Sequence, residues 1–369
     1  MESLDKILDE ALSKAIAERG HINILIAGRS GVGKSTLINA VFQANLAETG
    51  QGRPVTKNTR EITKEGIPLT LFDTRGLEMS EFGQTLSELE KIVEERCSDR
   101  DANRHIHIAW LCIQEDGRRV EEAEIALHER LARQVPVIAV VTKARADNGF
   151  RAEVQRLLPQ ARNVVRVRAM GEVLDDDIRL PPMGLETLVE AASELIPEGT
   201  RRALAAAQKA SVDYKKTQAH KIVAGAVTAA TMAGATPIPL SDAAILIPVQ
   251  ISMLAGITSV FGLEMTKATL STLLSSGLGV TGATFAGRSI VSNLLKLIPG
   301  IGTVTGGALS ATTAATLTLA LGEAYISVLS GFFLDNTDSR GDFLENLHQQ
   351  YPLAIMEKMK SVNPFTHNP

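Results

Sequence analysis

The chain has 369 residues, more than one ordinary domain, so two domains are expected. Its 38 Lys and Arg against 42 Asp and Glu leave a formal charge of −4, which removes the electrostatic case for nucleic-acid binding, and no nucleic acid is expected among its partners. Cys97 and Cys112, its two cysteines, fit reduced thiols, and the acidic start without an unbroken apolar run argues against a secretory leader, so a cytoplasmic protein is expected.

Residues 1–20 read as an amphipathic helix, with Leu4, Ile7, Leu8, Ala11, Leu12, Ala15 and Ile16 on one face, predicted to pack on the domain that follows. From 21 to 199 the chain alternates apolar runs with helical stretches: "INILIAG", "IPLTLFD", "HIHIAWLCI", "PVIAVVT" and "NVVRVRA" read as strands. "GKSTLINAVF", "EFGQTLSELEKIVEER", "VEEAEIALHERLARQ", "FRAEVQRLLPQA" and "GLETLVEAASELI" read as helices. Such alternation predicts an α/β domain of three layers around a mostly parallel sheet, with "REITKEG" as an antiparallel edge strand.

Composition changes after that. A helical connector carries Arg201, Arg202, Lys209, Lys215, Lys216 and Lys221, a basic stretch suited to an anionic bilayer or simply to solvent. Residues 200–334 then read as an all-α apolar domain, broken near "ATPIPLSD" and "LIPGIG". Four stretches, 222–241, 243–263, 268–287 and 297–322, lack charge over about the ~20 residues that cross a bilayer. Of these, 243–263 is strongly hydrophobic, while the Gly, Ala, Ser and Thr of the other three suit close helix contacts in a membrane or in a soluble core. Residues 335–369 read as a tail with a short helix.

The chemistry concentrates in "AGRSGVGKST". Gly28, Gly33, Lys34 and Ser35 satisfy G-x-x-x-x-G-K-[ST] between a strand and a helix, the context a phosphate-binding loop requires. Glycines let backbone amides of Ser30, Gly31, Val32 and Gly33 turn toward phosphate oxygens. Lys34 supplies charge at the β- and γ-phosphates, Ser35 a hydroxyl for Mg2+, and Thr36 an α-phosphate contact. "LTLFDTRG" adds Asp73 for Mg2+ through water and the Gly76 amide for the γ-phosphate. Thr59 is the first choice for closing on Mg2+, with Thr56 as the alternative. His105 and His107 read as strand surface, and Arg75, Arg118 and Arg119 as surface charge.

"GRSGVGKSTLINAVF", "TKNTRE", "DTRGLE", "VVTKA" and "GLETLVEAASELIP" together resemble the P-loop GTPases of the Era and TrmE branch, over residues 20–198. The resemblance implies GTP and GDP as ligands, Mg2+ as cofactor, catalysis involving Lys34, Asp73, Gly76 and Thr59, and base recognition around Thr142, Lys143 and Ala169. The sequence departs from the pattern at Arg145, where the family places the aspartate that reads guanine; Asp147 would substitute only through a two-residue shift. Leu77 stands where many GTPases have a water-orienting glutamine, and Gly31 where potassium-activated relatives have asparagine. Slow intrinsic hydrolysis follows. Residues 219–334 resemble the YcjF-type C-terminal domain of bacterial membrane-associated GTPases through "PIPLSD" and "LIPGIGTVTGGALSATTAATLTLALGEAY". That implies attachment, peripheral or integral, at the cytoplasmic face of a membrane, with lipid, a membrane protein or a second copy as partner. A nucleotide-gated membrane-active effector and a soluble nucleotide-binding scaffold are the alternatives.

Overall fold

A computed structural model of the chain describes residues 4–43, 51–55, 59–74, 82–174, 178–234, 242–263, 311–334 and 340–362, with isolated positions 46, 266, 267, 270 and 273. It divides into two compact units, residues 19–214 and residues 1–18 with 215–369.

The first unit is built on a seven-stranded sheet. The strands are β1 (Ile22–Ala27), β2 (Gln51–Pro54), β3 (Thr59–Thr63), β4 (Leu69–Thr74), β5 (Ile108–Gln114), β6 (Val137–Thr142) and β7 (Asn163–Arg166), in the order β2-β3-β4-β1-β5-β6-β7. From β4 to β7 every pairing is parallel, and β2 and β3 are antiparallel additions. Every residue of β1 and β6 is buried, as expected of continuous apolar runs covered on both faces. "REITKEG" therefore pairs antiparallel as predicted, but β2 lies outside it and takes the edge. No alternation marks Gln51–Pro54 as a strand.

Helices α3 (Phe82–Cys97), α4 (Glu122–Leu131) and α5 (Phe150–Leu157) cover one face, with Leu89, Val93, Leu127, Leu131 and Val154 in a core with Leu25, Leu111 and Val141. Helices α2 (Lys34–Val41), α6 (Leu185–Leu195) and α7 (Glu198–Ala207) complete the domain; α6 touches β6 and β7, and α7 touches β1 and β4. Trp110, fully buried in β5, stacks on Phe42 at 5.6 Å. A small hairpin of β8 (Glu172–Val173) and β9 (Arg179–Leu180) follows β7.

His105 and His107 lie just before β5 and not on a strand. His107 is buried: its Nδ1 accepts the Asn23 amide at 3.0 Å and its Nε2 faces the Ala102 carbonyl at 3.1 Å, a pairing that requires the neutral ring. Burial, as the first cause in each, holds His21, His107 and His128 below the ordinary 6.5. The unfolded chain thus binds protons more readily, and stability present above pH 6.5 is lost as pH falls below it. The thermal midpoint of the full chain is expected to drop between pH 7.5 and 5.5, and less steeply in His107→Asn; equal slopes for the two proteins would count against this.

The second unit contains residues 4–18 of α1 (Leu4–Arg19), α8 (Val212–Gly234) from Lys215 onward, α9 (Asp242–Phe261), α10 (Ala311–Leu334) and α11 (Arg340–Val362). Leu8, Ala11 and Ala15 share a core with Ala219, Val223, Leu254, Leu321 and Tyr351. This corrects the expected packing of the first helix on the α/β domain: an apolar stripe specifies that a helix packs, not against which partner. The expected tail is also corrected, since α11 buries Leu347, Tyr351, Ile355 and Met359, one turn apart, around an internal Pro352.

Close helix contact here depends on small residues. A Cβ on Gly322 would lie 2.6 Å from Val223 Cγ2, and one on Gly256 would lie 3.2 Å from Ile222 Cγ2. Two buried hydroxyl pairings tie these helices, Thr258 Oγ1 with Tyr325 OH at 2.8 Å and Tyr351 OH with the Leu321 carbonyl at 3.2 Å. Lys215, which the sequence groups with a basic face, is fully buried. Its amine donates to the Phe261 carbonyl at 3.1 Å and sits 5.0 Å over the Phe333 ring, and burial pushes its pKa down to about 7. Among the described residues α10 alone is long and apolar enough to cross a membrane, and 61% of its apolar window is buried within the protein. The stretches 268–287 and 297–310, and "PIPLSD", fall wholly or mainly outside the described residues.

Candidate functional site

The sheet order reverses at β1, whose neighbours β4 and β5 lie on opposite sides, and the loop leaving β1 opens at that crevice, the usual place for a ligand in such sheets. Gly28, Gly31 and Gly33 have φ of 147°, 77° and 98°, a run of positive values that side chains resist. Gly28 is further constrained because a Cβ would stand 2.5 Å from the Cys112 carbonyl. Leu37 makes the first helical hydrogen bond, to Gly33 O at 2.9 Å, so the amides of Lys34, Ser35 and Thr36 are the donors the helix itself leaves over. With the loop amides they form a cradle suited to an anion.

Lys34 bends back over this loop, its Nζ donating to Gly28 O at 2.7 Å and Arg29 O at 2.9 Å. Burial holds its pKa below the ordinary lysine value, while the nearby Asp73 charge works in the opposite sense. Asp73 sits in β4 in register with Ile26 of β1, one strand from the loop. Ser35 and Asp73 supply hard oxygen donors of the kind Mg2+ takes. Thr59 is buried at the start of β3, in register with Thr74. Thr56 and Gly76 lie outside the described residues.

A cleft of about 330 Å3 continues from the loop. It gathers Gly33, Thr36, Thr142, Lys143, Arg145 and Ala169, six of the residues singled out in the sequence, from three separate segments. Thr142 works as a tie, its hydroxyl donating to Val32 O at 2.6 Å and so clamping the end of β6 to the phosphate loop. Lys143 is exposed, with a positive φ of 54°.

The segment 144–147 is held by groups that the sequence did not single out for this role. Buried Glu115 accepts the Arg145 amide at 2.5 Å and Arg166 Nε at 2.7 Å. Arg118 donates to the Ala146 and Asp147 carbonyls, and Arg168 to the Ala144 carbonyl at 2.7 Å. Asp147 Oδ1 accepts the Arg151 amide at 2.9 Å, so this carboxylate serves the start of α5. Arg118 is thus a brace, and Arg119 pairs with Glu121 at 2.6 Å.

Residues 23–143 match the family described as 50S ribosome-binding GTPase, and residues 200–350 match a domain of unknown function, DUF697. The tRNA modification GTPase MnmE of Paraburkholderia xenovorans (strain LB400) is 35% identical over 147 residues, covering 38% of this chain and 29% of that protein. Septin-9 of Rattus norvegicus is 25% identical over 172 residues, covering 38% and 29%. The chain spans about three tenths of the length of these curated relatives. The crystal structure of a probable GTP-binding protein engB aligns with 47% of this chain and 98% of its own, at 16% identity and a TM-score of 0.31. Residues 23–143 therefore belong to the P-loop GTPases, and residues 200–350 to the DUF697 family.

Proposed function

We propose that the chain is a guanine-nucleotide switch that hydrolyses GTP slowly and whose helical domain associates with a membrane or with a second copy. The observation that carries the nucleotide part is the convergence of the phosphate loop, Lys34, Asp73 and the cleft at one crevice of the sheet. Amides of the loop and of the first turn of α2 hold the phosphates, and Lys34 turns from the loop carbonyls to the β- and γ-oxygens. Ser35 and, through water, Asp73 would hold Mg2+, with Thr59 closing from β3; bound Mg2+ neutralises charge on the phosphate oxygens. Leu77 brings no group able to orient water, which keeps turnover slow in this account. The sequence flanking β3 and following Asp73 is where the γ-phosphate would alter the surface of the domain.

Attachment at the cytoplasmic face of a membrane is supported by the low charge of α9 and α10 and by exposed Lys209 and Lys221 nearby in sequence. The burial of α10 favours a second reading, a nucleotide-binding scaffold whose helices form a conventional bundle. Flotation of the full chain with vesicles containing anionic phospholipid, in GDP and in a non-hydrolysable GTP analogue, separates the two. The switch reading expects vesicle binding, or a change of oligomeric size, that differs between the nucleotides. A monomer that never floats, whatever the nucleotide, supports the scaffold.

A further inference from the structure

The cleft holds a carboxylate in an unexpected place. Where the resemblance leads one to expect aspartate, Arg145 extends across the cleft to Glu172 at the start of β8: Arg145 Nε donates to Glu172 Oε2 at 2.8 Å, and its terminal nitrogen contacts Oε1. This is a two-pronged pair, which fixes both planes as well as the distance. Both walls are braced. Arg168 joins them, donating to the Pro181 carbonyl at 2.6 Å and to the Ala144 carbonyl at 2.7 Å. Asp147, the other conceivable substitute, is committed to the Arg151 amide and lies 3.5 Å from Arg166.

We propose that Glu172 reads the nucleotide base in place of the missing loop aspartate, with Arg145 as its positioning partner. The inference rests on the GTPase reading above. Guanine's N1–H and 2-amino donors match the two side-by-side acceptors that Arg145 occupies in this structure, so the base would take that edge of Glu172 and turn the guanidinium aside, where its freed donors can meet O6. Adenine presents the reverse, an acceptor at N1 toward the carboxylate and an amino group toward the guanidinium. The charged pair therefore selects guanine by both halves, although the loop position has the opposite charge from the expected one.

The test is titration of the full chain, with Mg2+, using fluorescent N-methylanthraniloyl forms of GDP, IDP, XDP and ADP. IDP lacks the 2-amino group, and XDP carries a carbonyl in its place. Wild type is expected to favour GDP over the other three by about 10- to 100-fold, the discrimination a two-pronged base contact supplies. Glu172→Gln turns one acceptor into a donor, so the GDP-to-XDP ratio should fall by a similar factor. Glu172→Asp, which keeps the charge, should retain the guanine preference at lower affinity, with thermal melting confirming that each variant folds. An unchanged GDP-to-XDP ratio in folded Glu172→Gln overturns the proposal while leaving the GTPase reading intact, as does a preference that moves instead with Asp116→Asn, at the other carboxylate lining the cleft. Wild type that binds none of the four overturns both.

Discussion

Lys34→Ala is expected to lower affinity for GTP and GDP by roughly 10²- to 10³-fold, the scale on which loss of one preorganised donor to a charged centre is felt. The lysine is the cation built into the phosphate loop, half-buried, with its amine against Gly28 O and Arg29 O and under the influence of Asp73. Arg29, its neighbour, is exposed and paired with Glu121 at 3.0 Å, so it offers no replacement. Position 34 opens α2, where alanine is a good helix former, so the fold should survive. Titration with fluorescent GDP beside a thermal melt checks both halves. A folded variant that binds within threefold of wild type would remove Lys34 from the site.

Gly184→Ala is expected to be the most damaging single methyl in the α/β domain, at about 2–5 kcal/mol, because steric overlap and a left-handed backbone conformation that alanine disfavours coincide. Gly184 precedes α6 with φ at 76°, and a Cβ there would stand 2.0 Å from the Arg166 carbonyl and 3.4 Å from Val167 Cα. Those atoms are backbone, so no rotamer change relieves the clash. They also lead directly into Arg168 and Ala169, which form a wall of the cleft. Chemical denaturation should show the loss of stability, and nucleotide affinity should weaken even where the variant remains folded. A variant as stable as wild type would mean that the end of β7 yields freely.

The phosphate loop, the buried strands and their helices were legible because each has its own local signature: fixed glycine spacing, continuous apolar runs, or helical periodicity. The strands β8 and β9 have two residues each and no periodicity to detect, so Glu172 gave no signal until the fold carried it across from Arg145. Glu115 was equally silent, since its role depends on Arg166, 51 positions away in sequence. The histidines before β5 alternate like strand residues, yet backbone partners at Asn23 and Ala102 draw His107 inside. The stripe of α1 was visible but its partner was not, because Leu8 and Ala15 meet residues more than 200 positions away. A proline within α11 masked a long helix whose buried positions repeat every four residues. Lys215 shows the limit of reading charge from composition, since a burial-driven pKa of about 7 separates it from the solvent-facing lysines around it.

The central claim is that the crevice beside β1 holds one guanine nucleotide. Titration of the wild-type full chain with GDP and with ADP, in Mg2+, by calorimetry tests it most directly. Saturation at one GDP per chain is expected, with ADP weaker by about 10-fold or more. Equal affinity for the two, or heat from neither, would contradict it.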